Sequence, residues 1–375
     1  MKAVCFVNGF RARIVQEAGG LDGLDRLFDI FVDPSSFMKP WEKQRAFEDS
    51  LSHEKLVAVN DENELAALIR KHGITYFLFI GLEDSRKISE VLKLIATHNA
   101  EYGILNIRKD FYNFFYPNRS NTFLGRLKKG LEKIKKKVIA SIRSFGLPAP
   151  SHLITNEPGV LTYPKTNRKT IIKTVNYRDY YLSANYTERP IEEKYAVFLD
   201  QAYPDFFSSS HGIDRTIKFY TEEKTNLYYE LVNGYLNNLS KMLELKIVVC
   251  LHPNSPGNLK KRFLNEFTTI KYETGKYAKY ADVIVTHDSN TVSYGFMYDV
   301  KTVMLLFENA MPVTSIQDIE MKARLLGITL HYWPSDEISF EEIKPPTNAT
   351  IRNFFLPNKK SISLIDDIEQ VVKNI

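Results

Sequence analysis

The stretch from Lys246 to Gly295 constrains this 375-residue chain most. It opens with KIVVCLHPN and closes with ADVIVTHDSNTVSYG, and the polar segment between reads as helix and short strand. Each end holds a continuous apolar, β-branched run bounded by polar turn residues. That is the pattern of a strand buried on both faces of a parallel sheet. In open α/β sheets ligands bind outside the carboxyl ends of the strands, and the N–H groups opening a following helix attract phosphate. Strand 247–251 thus delivers His252 and Pro253 to such an edge. Strand 283–286 delivers Asp288, Ser289, Asn290 and Thr291, just ahead of a helix that Asp288 is expected to cap.

The chain is too long for one core to keep growing, so two domains are expected. The first half alternates strand-like and helical patterns, the mark of βαβ units. Strands are predicted at 3–7, 27–32, 56–59, 75–80 and 102–107, and helices near 41–51, 62–72 and 85–98. Asn60-Asp61 offers an N-cap for the helix at 62, and Gly73 ends it. From Pro148 to Pro190 breakers dominate and the chain reads as a loop-rich exit, with short strands at 160–163 and 171–175 and a hinge close to Pro190. A strand at 195–199 opens the second domain and ends in Asp200. A helical pattern from 214 to 243 leads to the His-Pro strand, and further strands follow at 301–306 and 328–332. These boundaries give domains at 1–190 and 191–345. The tail, 346–375, ends in an amphipathic helix.

Between Phe123 and Phe145 eight basic residues stand against Glu132 alone, a local charge of +7 on a helical apolar stripe. The whole chain carries +5, so the remainder is slightly acidic. One local patch facing an anionic surface fits this better than nucleic-acid binding, and a phospholipid face or lipid-linked acceptor is the expected partner. A solvated surface helix packed by its stripe is the alternative. The 24 phenylalanines and 21 tyrosines are expected to fill cores. Cys5 and Cys250 fall in predicted buried strands and read as packing thiols. The apolar run in MKAVCFVNGFRAR is too short for the core of an export signal and no apolar run is long enough to span a membrane, so the expected place is the cytoplasm or the inner membrane face.

The order strand, His-Pro, helix, strand, Ser-x-Thr, helix resembles the carboxyl-terminal domain of GT-B glycosyltransferases of bacterial surface polysaccharide. It is most similar to the sialyltransferase, polysialyltransferase and Kdo-transferase-like group with its HP and S-S/T motifs, and covers roughly residues 195–310. The resemblance implies an α/β, GT-B-like fold of two Rossmann-like domains with mainly parallel sheets facing across a cleft. It implies that His252, Pro253, Ser289 and Thr291 bind the nucleotide of a CMP-activated acidic sugar; Asn290, a further candidate donor from its place at the strand end, separates the two hydroxyls where the family has them adjacent. A UDP-sugar or CDP-glycerol donor is the nearest alternative, and a non-catalytic glycan- or nucleotide-binding partner of a membrane assembly complex is the rival of another class.

Inverting transfer needs a base for the acceptor hydroxyl and donors for the leaving phosphate. Glu83 and Asp84, beyond the strand at 75–80, are the leading base candidates, with Asp200 as a further catalytic candidate. Asp22, Asp25, Asp33 and Glu157 are rivals. HExxH, a cysteine cluster, a strand-end DxD and GxSxG are all missing from the sequence, so neither a metal, a cofactor nor serine-hydrolase chemistry is expected. The partners are a nucleotide-activated sugar and a glycan or glycolipid acceptor.

Overall fold

A computed structural model describes residues 1–6, 20–33, 54–80, 86–106, 147–156, 166–201, 203–204, 219–252, 259–335, 339–356, 360–373 and 375. The chain forms two compact units, Met1–Leu182 with Pro357–Ile375, and Ser183–Leu356. Each is an α/β unit around a parallel sheet, as the alternation of strands and helices predicts. The second unit begins at Ser183, ahead of the hinge expected close to Pro190. No described helix is long and apolar enough to cross a membrane.

The first sheet holds β1 (Lys2–Phe6), β2 (Ile30–Asp33), β3 (Leu56–Ala58), β4 (Tyr76–Ile80), β5 (Glu101–Asn106), β6 (His152–Thr155) and β7 (Ile171–Thr174). Their order is β3-β2-β1-β4-β5-β6-β7, parallel throughout. Side chains of a strand alternate between faces, and β4 places Phe77 and Phe79 in one apolar layer and Tyr76, Leu78 and Ile80 in the other. Both faces are therefore covered, which is why YFLFI reads as an unbroken apolar run.

Helix Glu62–His72 forms where the sequence places it. Asp61 accepts the N–H groups of Asn63 and Glu64 at 2.8 and 2.9 Å, and Gly73 closes the helix at φ +57°. The last helix, Leu364–Val372, belongs to the first unit. Leu364, Ile365, Ile368, Val371 and Val372 enter the layer that contains Val4 and Leu78. Gly23 permits the approach, since a Cβ there would lie 2.7 Å from Ile365. Asp367, fully buried, accepts hydrogen bonds from Tyr181 and Ser361, each at 2.6 Å, and Lys173 stands 3.6 Å away.

The second sheet holds β8 (Tyr195–Leu199), β9 (Lys246–Leu251), β10 (Thr268–Lys271), β11 (Val283–Thr286), β12 (Lys301–Leu306) and β13 (Thr329–Tyr332). It is parallel, in the order β10-β9-β8-β11-β12-β13. The strands at 195, 283 and 301 match their predicted spans, each a continuous apolar run, closed by polar residues after β8 and by Phe307-Glu308-Asn309 after β12.

Two corrections follow. The stretch read as loop contains β6, whose four residues are all buried, and helix Arg178–Ala184. Prolines and an asparagine flank β6 so closely that its short run carries no periodicity. The helix before β9 spans Glu222–Leu243, beginning where Thr221 accepts the Lys224 N–H, rather than at 214.

Candidate functional site

The strand order of the second unit decides which predicted residues can meet. Its first strand, β8, lies between β9 and β11, so the order reverses on either side of β8. Such a switch point opens a crevice at the carboxyl ends of the strands. Leu199 is in register with Cys250 on one side and Thr286 on the other. Asp200, the residues after β9 and the residues after β11 therefore end at one level. Neighbouring strands lie about 4.8 Å apart, which puts β9 and β11 roughly 10 Å from one another. His252 follows β9, Asp200 follows β8, and Ser289, Asn290 and Thr291 follow β11 after two residues. The structure thus brings together three of the predicted groups on adjacent strands.

His252, Ser289, Asn290 and Thr291 are half-buried, while Asp200 is 4% exposed. Asp200 is anchored by its own N–H, which donates to the Cys250 carbonyl at 3.0 Å. Cys250 beneath it forms no disulfide, and burial pushes its thiol up to about 12, in keeping with a packing role.

The turn after β11 departs from expectation. Asp288 does not cap the following helix; Ser289 does, its Oγ accepting the Thr291 N–H at 3.2 Å. The Ser289 and Thr291 hydroxyls also bond each other, and the Ser289 N–H donates to Thr286 Oγ1 at 3.2 Å. A 3-10 turn at Asn290–Val292 precedes the short helix Ser293–Tyr298. Asp288 is instead ion-paired with Lys322 of helix Val313–Leu326, and its N–H donates to Gln201 Oε1. The side chain that follows β8's terminal aspartate thus holds the turn that follows β11.

Below the turn His287 is fully buried. Its Nδ1–H donates to the Leu305 carbonyl at 2.6 Å, and Phe198, Tyr203, Tyr228 and Phe307 surround the ring at centroid distances of 5.3–5.7 Å. Desolvation lowers its pKa to about 4, only partly opposed by the Leu305 contact, so the imidazole is neutral near pH 7.

Glu83, Asp84, Pro253, Glu157 and the basic segment 123–145 lie outside the described residues. Asp22 falls within helix Gly20–Asp25. Asp25 is paired with Lys55 at 2.5 Å, an ordinary structural use of the acid. Asp33 ends β2 of the first unit, and burial raises its carboxyl pKa. Among the described residues no group of three or more potential metal ligands is assembled.

Sequence reasoning missed Gln201 and Lys322. Lys322 left a signal, because it falls on the same helical face as Ile319, Ala323 and Leu326, all buried. A lysine inside an apolar stripe needs an anion, and Asp288 supplies it. Gln201 left none.

No family model matches the sequence, and no curated protein matches it. Among solved structures, the chain is similar to UDP-GlcNAc 2-epimerase from Methanocaldococcus jannaschii, at 12% identity over 99% of this chain and 100% of that one, with a TM-score of 0.49. It is also similar to UDP-GlcNAc 2-epimerase from Neisseria meningitidis bound to UDP-GlcNAc, at 11% identity over 100% and 99% of the two chains, TM-score 0.45. The glycosyltransferase SnogD from Streptomyces nogalater is similar at 12% identity over 100% and 99%, TM-score 0.43. Likeness at this distance assigns neither a donor nor a reaction.

Proposed function

We propose that the second unit binds a nucleotide-activated sugar and that the protein transfers the sugar to a glycan or glycolipid acceptor. The observation that carries this reading is the adjacency of β9, β8 and β11, which gathers His252, Asp200 and the Ser289–Thr291 turn at a switch point. An imidazole and a pair of hydroxyls on either side of a strand suit the charge that grows on a leaving phosphate. The acceptor's base remains assigned to Glu83 or Asp84, with Asp33 as the rival whose raised carboxyl pKa suits proton abstraction. The basic segment 123–145 keeps its proposed place at an anionic lipid surface.

A UDP-linked sugar is the first donor class. Asn290 separates Ser289 from Thr291 and the two hydroxyls bond each other, so the adjacent hydroxyl pair of the CMP-binding resemblance is not reproduced. His252, which matches the other half of that resemblance, favours a CMP-activated acidic sugar as the second reading.

Thermal unfolding in the presence of UDP, CMP and their sugar conjugates tests the assignment. A ligand bound only by the folded state contributes about 2.7 kcal/mol at a hundredfold excess over Kd. A raised Tm with at least one uridine or cytidine nucleotide is expected, followed by donor turnover once an acceptor is supplied. Binding without turnover would favour a non-catalytic partner, and no shift with any nucleotide would contradict the reading.

A further inference from the structure

We infer that a buried water molecule joins Nε2 of His287 to the hydroxyl of Tyr228 beneath the turn after β11, a binding site that stands whether or not the sheet edge takes a nucleotide. Both side chains are fully buried, and neither of these two atoms has a hydrogen-bond partner among the described residues. Leaving a buried polar atom unbonded costs more than a made bond contributes, so such atoms are met by protein or by ordered water.

The count of donors and acceptors fixes the kind of molecule that fits. Nδ1–H of His287 is engaged by the Leu305 carbonyl at 2.6 Å and the imidazole is neutral near pH 7, so Nε2 offers only a lone pair and needs a donor. Of the four rings around it, Phe198 and Phe307 carry no polar atom, and the Tyr203 hydroxyl is bonded to Ser315. That leaves Tyr228 of helix Glu222–Leu243, whose ring lies 5.6 Å from the imidazole and is tilted to it by 47°. The two rings touch, yet the hydroxyl and Nε2 do not bond each other. One water spans about 5.5 Å between the atoms it joins, the scale of this separation. One of its hydrogens satisfies Nε2, and its oxygen accepts the Tyr228 hydroxyl hydrogen. The negative charge that acts on this hydroxyl, that of Asp200, orients the second hydrogen.

The bridge has a structural consequence for the sheet edge. Helix Glu222–Leu243 leads into β9, and His287 is the residue from which the Asp288–Thr291 turn springs. The water therefore ties the approach to β9 to the exit from β11, two of the segments whose ends carry the candidate residues.

The sign of one substitution tests this. Tyr228→Phe deletes the hydroxyl and keeps the ring. With a water bonded to that hydroxyl, the folding equilibrium constant read by urea unfolding of the full chain is expected to fall about three- to tenfold, the worth of a lost hydrogen bond. A hydroxyl standing alone would instead be better removed, and a constant that rises or stays unchanged would overturn the inference. His287→Asn keeps an amide at the place of Nδ1 and deletes Nε2. Combined with Tyr228→Phe, it is expected to cost at least about twofold less than in the parent, because the shared water is already lost. Strictly additive effects would mean that the two atoms share no ligand, and would also overturn it. Should His287→Asn not fold, a crystal structure of the parent replaces the cycle. An ordered water within hydrogen-bond distance of both Nε2 and the Tyr228 hydroxyl is expected there, and a site without one would contradict the bridge.

Discussion

Replacing Asp367 by alanine is expected to destabilise the first unit by about 3–5 kcal/mol, the usual cost of breaking a buried charged network from one side. The carboxylate is fully buried and takes the hydroxyl hydrogens of Tyr181 and Ser361, each at 2.6 Å. Its loss leaves the Tyr181 hydroxyl without its acceptor, Ser361 with only the Ser363 carbonyl at 3.2 Å, and Lys173, 3.6 Å away, without its anion. It also loosens the last helix, whose apolar face completes the layer around Val4 and Leu78. Asp366 on the same helix is the control, because its pair with Arg26 lies at the surface and is worth about 0–1 kcal/mol. Urea unfolding of both alanine variants checks this. Equal effects at the two positions would mean that the helix is held by its apolar contacts alone.

The second large effect is a pH dependence set by His287. Its pKa is about 4 in the folded state, below the ordinary 6.5 of an unfolded chain. Between those values the unfolded state binds the extra proton, so stability rises with pH in that window. The contribution is complete above pH 6.5 and is lost as pH falls through 4. It corresponds to about 3 kcal/mol. His287→Gln removes the titration while keeping an amide able to donate to the Leu305 carbonyl. Stability measured from pH 8 to pH 4 is therefore expected to fall more steeply in the parent than in the variant, whatever the variant's offset. Parallel curves would show that the imidazole is not desolvated as its aromatic surroundings imply.

Both effects depend on groups whose burial the sequence announces unequally. His287 follows a four-residue apolar strand, so its depth could be anticipated, but the four rings around it come from separate segments and carry no local signature. Asp367 looks like any polar residue of an amphipathic helix; only the return of that helix to the first unit's core makes it a buried acid. The strands at 195, 283 and 301 were legible because parallel strands covered on both faces need continuous apolar runs. β6 was not, since four residues between breakers leave no period to read.

For the site, the residues at the ends of β8, β9 and β11 were legible as strand termini, while their adjacency required the strand order. Nothing local in KIVVCLHP says that β8 will lie beside it. The role of Asp288 was misread for a related reason. A helix cap is a local use of an acid, and the sequence offers that use first; the lysine that claims Asp288 lies 34 residues further on.

Nucleotide binding by the His252→Ala, Ser289→Ala double variant tests the central assignment most directly. Each change is expected to weaken binding by about 1–3 kcal/mol, the range for a lost hydrogen bond to a charged group, while loss of the Ser289 cap costs a further ~0.5–2 kcal/mol of stability, which a melting curve of the variant reads separately. Calorimetric titration with whichever nucleotide raises the parent's Tm is predicted to show binding reduced by about thirtyfold or more, roughly 2 kcal/mol at the least for the two changes together. A double variant that is folded and binds that nucleotide at full strength would contradict the site at the ends of β9 and β11.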